Sequence, residues 1–159
     1  MDTAVASGRQ GPPASVSPTV GVVLVVRDPG SGFDEVLAGL AAQDHRDLRI
    51  LVVDSGWEPV ADRVVAVLPD ARVIAGHHSL TFGAAANLIL NEGPHPAGSF
   101  HLFLSDDLVL TATAVRRMVE AALEANAGVV GSKVLAGEDP TCLDDICLLY
   151  TSPSPRDRG

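Results

Sequence analysis

At 159 residues, 47% of them hydrophobic, the chain is long enough for one domain with a real core, and its apolar content excludes wholesale disorder. Its 11 basic against 20 acidic residues give a formal net charge of −9, which argues against nucleic acid or an anionic membrane as a general partner, since either needs a basic face. No apolar run approaches the roughly 20 residues that span a bilayer, the N-terminus lacks a signal-peptide pattern, and the two cysteines, Cys142 and Cys147, offer neither a disulfide framework nor a metal site. The expectation is a soluble, cytoplasmic, acidic α/β domain. A nucleotide ligand stays open, because a bound metal can supply positive charge locally.

Residues 1–18 are almost all small, polar, Pro or Gly and read as a flexible leader. Val20 to Val26 is a continuous apolar run, as expected of a strand buried on both faces of a parallel sheet, and Asp28-Pro29-Gly30 breaks it. Phe33, Val36, Leu37 and Leu40 recur at helical spacing. Arg49 to Val53 is a second strand ending at Asp54-Ser55-Gly56, and Pro59 to Leu68 a short helix with Val60, Val64 and Val67 on one side. Arg72 to Ala75 is a third strand. Thr81 can cap a helix over Phe82 to Leu90, which Asn91-Glu92-Gly93-Pro94 ends. Phe100 to Leu104 is a fourth strand and stops at Ser105-Asp106-Asp107. Thr111 or Thr113 can then cap an amphipathic helix whose inner face is Val115, Met118, Val119, Ala122 and Leu123, with Arg116-Arg117 on its solvated side. Gly128 closes it, and Val129 to Leu135 reads as a further strand. This alternation predicts an α/β fold: an open, mostly parallel, Rossmann-like sheet with flanking helices.

The tail has a different character. Cys147 to Asp157, Cys-Leu-Leu-Tyr-Thr-Ser-Pro-Ser-Pro-Arg-Asp, matches in one reading frame the translation of a common sequencing-library adapter. On that reading natural sequence ends near Ile146 and the gene continues beyond it. The division is then a leader at 1–18, the folded region at 19–146 and an adapter-derived tail at 147–159.

Ligands of open parallel sheets bind outside the carboxyl ends of the strands, which makes Arg27-Asp28, Asp54-Ser55, Gly76 to His78 and Ser105 to Asp107 the informative positions. Three of these four ends carry carboxylates. Acids gathered without matching Lys or Arg suit a hard divalent cation, and Mg²⁺ or Mn²⁺ commonly joins a carboxylate to substrate phosphates. There is no Gly-x-Gly-x-x-Gly after the first strand and no phosphate-loop Gly-Lys-Ser/Thr, which disfavours dinucleotide and P-loop chemistry.

Four segments in order resemble family 2 glycosyltransferases of the GT-A fold. They are Val22 to Asp28 followed by a helix ending Leu40-Ala41-Ala42-Gln43; Leu51-Val52-Val53-Asp54-Ser55-Gly56, similar to a Val-Asp-x-Gly-Ser turn; Phe82-Gly83-Ala84-Ala85-Ala86-Asn87, similar to a Gly-Phe-x-x-x-x-Asn segment; and Phe103-Leu104-Ser105-Asp106-Asp107, in the place of an Asp-x-Asp metal motif. The resemblance implies a nucleotide-diphosphate sugar as donor and a glycan or lipid-linked acceptor, in cell-envelope glycan or polysaccharide synthesis. Asp54 would contact the base or ribose, the backbone of Val26, Arg27 and Asp28 would line the base pocket, and Asn87 would hold the nucleotide or its neighbouring loop. Asp106 and Asp107 would bind ribose and the metal. The family's inverting chemistry uses a carboxylate base downstream of the metal motif, beyond the expected truncation. No residue is named for it, the chain alone is expected to be inactive, and any association with the inner face of the membrane would come through downstream sequence. Two departures stand out: Ser105 replaces the first aspartate, and Arg27-Asp28 replaces an aromatic-Asn pair.

Each position has a plainer reading. Carboxylates after strands also form turns or cap helices; Asn87 within a helix can face solvent; His77-His78 reads as loop, and His101 as a satisfied member of the sheet. Trp57 could stack on a base or pack on the surface. Two other functions fit part of the pattern. A receiver-like module is suggested by Ile50 to Asp54, although it needs an acidic pair after the first strand and an aspartate after the third, where Gly76-His77-His78 stands. The other is a noncatalytic α/β binding fold.

Overall fold

The computed structural model describes residues 17–91, 99–135 and 143–151. Its strands form one sheet in the order β3-β2-β1-β4-β6-β5. β1 (Val20–Val26) is central and wholly buried, as its unbroken apolar run requires, and pairs in parallel with β2 (Leu48–Asp54) and β4 (Phe100–Ser105). β3 (Arg72–Ala75) extends the parallel set beyond β2. β6 (Leu143–Thr151) runs antiparallel to both its neighbours, β4 and β5 (Val129–Leu135), so among the described strands it alone opposes the common direction.

The alternation of β1 sends its side chains to two cores. Val20, Val22, Leu24 and Val26 pack with α1 (Phe33–Ala41), α2 (Ala61–Val67) and α4 (Ala114–Glu124), while Val23 and Val25 meet Ala85 and Ile89 of α3 (Phe82–Ala86) and the 3₁₀ turn Asn87–Asn91 that continues it. The open, mostly parallel sheet with helices on both faces is the expected architecture. None of the described helices is long and apolar enough to cross a membrane.

The differences from expectation have local causes. The apolar ridge of α2 is Val60, Val64 and Leu68, spaced by four, which leaves Val67 at its margin and 39% exposed. Leu123 likewise lies at the edge of the stripe formed by Val115, Met118, Val119 and Ala122, and is 60% exposed. The helix after Thr81 is α-helical only to Ala86; the Thr81 hydroxyl does accept from the Ala84 N–H, at 3.3 Å. The expected stop at Glu92-Gly93-Pro94 and the leader up to residue 16 lie outside the described residues. The expected boundary after Ile146 falls inside β6, whose backbone pairs on either side of it.

Neither threonine caps α4 through its side chain. Thr113 occupies the N-cap at φ −106°, ψ 2°, outside the extended region that aims a hydroxyl at the helix N–H groups. Gln43, just after α1, does the work instead: its Oε1 accepts from the Val115 N–H at 3.1 Å, and its Nε2 donates to the carbonyls of Gly39 and Thr111 at 2.8 Å each. Arg116 is not merely solvated. It bonds Asp44 through Nε at 2.8 Å and Glu120 through Nη1 at 3.0 Å, and these hydrogen bonds, Asp44 first, hold its guanidinium above its ordinary pKa. α1 and the segment between the acidic pair and α4 are also in direct contact, since a β-carbon at Gly39 would lie 2.9 Å from the Leu110 carbonyl oxygen.

Two substitutions test this packing. Gln43→Ala is expected to cost about 1–2 kcal/mol in denaturant unfolding, as loss of a cap does, while Thr113→Ala stays within about 0.5 kcal/mol. Gly39→Ala would gain about 1 kcal/mol of helix propensity but lose about 1–3 to overpacking, so a net loss of stability is expected. A more stable Gly39→Ala protein would contradict the contact.

Candidate functional site

β2 and β3 lie to one side of β1 and β4 to the other, so the chain reverses its direction of progress across the sheet between β1 and β4. Outside the carboxyl ends of these two strands lies the crevice where open α/β sheets bind ligands. One bond spans it: the Arg27 N–H donates to Asp106 Oδ2 at 2.7 Å, joining the end of β1 to the turn after β4. The Arg27 guanidinium turns away and donates to the Leu80 carbonyl, which ties the loop before α3 to the same strand end.

The neighbouring turn is built by close backbone approach. The buried Val26 carbonyl accepts from both the N–H and the hydroxyl of Ser55, each at 2.9 Å. Asp28 has a left-handed φ of 50°, and its Oδ1 accepts from the Trp57 N–H at 2.8 Å. Gly56 fits between them, since a β-carbon there would lie 3.0 Å from the Asp28 nitrogen and 3.1 Å from its Oδ1. Asp54 is buried, with Oδ1 accepting from Gly56 at 3.2 Å and Oδ2 from Val60 at 2.9 Å. Its carboxylate therefore folds the turn and leads the chain into α2. Each oxygen keeps one lone pair beyond these bonds.

Asp106 is half-buried and Asp107 exposed. Ser105, standing where an aspartate is usual in the motif, donates its hydroxyl to Asp107 Oδ1. Each carboxylate is thus oriented by one donor and keeps its other oxygen. Among the described residues no group of three or more His, Cys, Asp or Glu is arranged to hold a metal unaided. Two oriented hard-oxygen ligands at an open crevice fit Mg²⁺ or Mn²⁺, which retain waters and take further oxygens from phosphates rather than fill an all-protein cage.

The structure thus gathers Val26, Arg27, Asp28, Asp54, Asp106 and Asp107 around one sheet edge. Asn87 stands apart. It is exposed, at the C-cap of α3, two residues before Ile89, whose side chain reaches Gly21 near the start of β1. Sequence reasoning gave no role to Ser55 or Gly56, although both belong to the Asp-Ser-Gly turn it singled out. It had no means of pairing Trp57 with His78, whose rings stack at 4.3 Å with 23° between planes. His78 in turn stacks on His77 at 4.2 Å, and His77 Nδ1 lies 2.7 Å from the Ser79 hydroxyl. His101 is a buried member of β4 beside Phe103, as expected.

An open α/β sheet with carboxylates at its switch point defines the class: a Rossmann-like protein with an acidic site. The model of the family "Glycosyl transferase family 2" matches residues 22–142, and the chain belongs to that family. A search of curated proteins gives no match. Among solved structures, the mannosyltransferase PcManGT from Pyrobaculum calidifontis, in complex with GDP-Man and Mn²⁺, superposes with a TM-score of 0.66 at 16% identity, over 86% of this chain and 45% of that one. S. aureus TarS 1–349 in complex with UDP-GlcNAc gives 0.61 at 16% identity, over 84% and 45%. A 4-diphosphocytidyl-2C-methyl-D-erythritol synthase gives 0.59 at 17% identity, over 86% and 76%. At these identities the likeness shows the fold alone, and it extends beyond glycosyltransferases. The chain spans less than half the length of each of these two glycosyltransferases.

The two kinds of aspartate should separate in mutants. Asp54→Asn leaves one backbone N–H without its acceptor in a buried turn and is expected to cost about 1–3 kcal/mol in denaturant unfolding. Asp107→Asn, exposed, should stay within about 0.5 kcal/mol. Equal costs would contradict the division between a turn-building and a ligand-facing carboxylate.

Proposed function

We propose that the chain is the donor-binding half of a glycosyltransferase, taking a nucleotide-diphosphate sugar together with Mg²⁺ or Mn²⁺ at the crevice between β1 and β4. The observation that carries this is the Arg27 N–H to Asp106 bond at 2.7 Å, with Asp107 beside it, at the switch point of a family 2 chain. The GDP-Man and Mn²⁺ complex and the UDP-GlcNAc complex of two proteins with this fold support a donor of the same kind. Gly76-His77-His78 at the carboxyl end of β3 offers no phosphate-accepting aspartate, which weighs against a receiver.

In this reading Asp106 and Asp107 hold the metal, and Asp106 also meets the ribose. A metal bound there supplies Lewis-acid neutralisation of charge on the departing nucleoside diphosphate. The chain's own part is orientation. The Arg27 N–H fixes the free oxygen of Asp106, the Ser105 hydroxyl fixes that of Asp107, and both are set before the ligand arrives. Asp28, Asp54 and the Val26–Arg27 backbone line the nucleoside side. Asn87, exposed at the C-cap of α3, would act through the loop that neighbours the nucleotide.

Transfer goes to an acceptor hydroxyl, with inversion, deprotonated by a carboxylate base. We assign that base and the acceptor site, a glycan or lipid-linked hydroxyl of the cell envelope, to sequence downstream of Ile146 in the full gene. This takes Cys147 onward as adapter-derived, a reading supported by its match to the adapter translation. Membrane association, if the full-length protein has it, belongs to that downstream part.

A nucleoside diphosphate with Mn²⁺, at 100 times its Kd, should stabilise the chain by about 2.7 kcal/mol. That is a rise of several degrees in Tm for UDP or GDP. The rise should vanish when Mn²⁺ is omitted and in Asp107→Asn. No rise with either nucleotide, or one indifferent to metal and to Asp107, would overturn the reading. Separately, the chain alone should give no sugar transfer from UDP- or GDP-sugars; turnover would show that it contains its own base.

A further inference from the structure

Trp57 is the chain's only tryptophan and the residue is 73% exposed, an unusual position for the largest apolar side chain. It is nonetheless held in place. Its backbone N–H donates to Asp28 Oδ1 at 2.8 Å, and one ring face is backed by His78, itself stacked on His77. A flat, braced aromatic surface thus stands on the turn after β2, tied through its backbone to Asp28 and backed by the loop after β3. We propose that the nucleobase of the donor stacks on the open face of Trp57, with His78 as the backing that keeps the indole in register. The proposal rests on the nucleotide-sugar reading above and adds the residue that grips the base.

The geometry favours this occupant. With the diphosphate at Asp106 and Asp107 in the turn after β4, a nucleoside laid along the carboxyl edge crosses β1 and reaches β2. Adjacent strands are about 4.8 Å apart, so that span is on the order of 10 Å, comparable to the reach from a diphosphate to its base. Trp57 closes the turn that follows β2, and Arg27-Asp28 at the end of β1 supplies no aromatic ring of its own. Stacking is tolerant of base identity because every base has a π-face, so Trp57 would add affinity without choosing between uracil and guanine.

The single tryptophan makes the test direct. Fluorescence of the full chain is titrated in Mg²⁺, which does not itself quench, with UDP, with GDP, and with inorganic pyrophosphate as a base-free probe; binding is followed in parallel by calorimetry. UDP and GDP should quench Trp57, while pyrophosphate binds without quenching. Trp57→Ala should weaken UDP about tenfold or more, leave pyrophosphate unchanged, and Trp57→Phe should restore most of the loss. Nucleotide binding with no quenching, or an equal loss for UDP and pyrophosphate in Trp57→Ala, would overturn the stacking role while leaving the donor site intact. Absence of binding by all three ligands would overturn the donor-site reading, and this one with it.

Discussion

Where the chain reverses across the sheet, two strand ends that are 79 residues apart in sequence must be held together, and the Arg27 N–H to Asp106 bond does this at 2.7 Å. N–H groups at the end of a parallel strand lack ladder partners, and the Arg27 N–H after β1 finds its acceptor in the turn after β4. A carboxylate that accepts one of these N–H groups is fixed in direction and loses only one lone pair. The remaining features of the site follow from it. Ser105 sets Asp107 beside Asp106, Arg27 draws the loop at Leu80 over the strand end, and the Asp54 turn packs against Asp28 through Gly56.

The four-residue Asp54-Ser55-Gly56-Trp57 segment concentrates its intramolecular bonds in one turn. Asp54 satisfies the Gly56 and Val60 N–H groups, Ser55 doubles its bonds to Val26, and Trp57 is tied to Asp28. None of these groups is left to settle on binding. Each of these bonds is formed within the chain, without ligand.

Much of the fold was legible because burial is written into short stretches. The six Val and Leu residues of β1, interrupted only by Gly21 and stopped by Asp28-Pro29-Gly30, read as a buried strand, and the acids at the ends of β1, β2 and β4 follow from where those strands stop. What was not legible depended on partners far away in sequence. Gln43 caps α4 across 72 residues, which displaced the local threonines. The stack of Trp57 on His78 joins two loops that sequence gives no reason to pair. β6 carries Asp144 and Asp145 and lies across a boundary drawn on other grounds, so nothing in its pattern announced an antiparallel strand between β4 and β5. Asn87 resembled a motif position, yet the run of α3 back along β1 sets it apart from the acidic edge.

The central claim is that metal and nucleotide occupy one site and share Asp106 and Asp107. Calorimetric titration of UDP or GDP at a series of Mn²⁺ concentrations, and of Mn²⁺ at a series of nucleotide concentrations, measures this most directly. Two ligands that meet must raise each other's affinity by the same factor, and a shared diphosphate bridge predicts a factor of about ten or more. A nucleotide affinity that does not change with Mn²⁺, or no nucleotide affinity at all, would contradict the account.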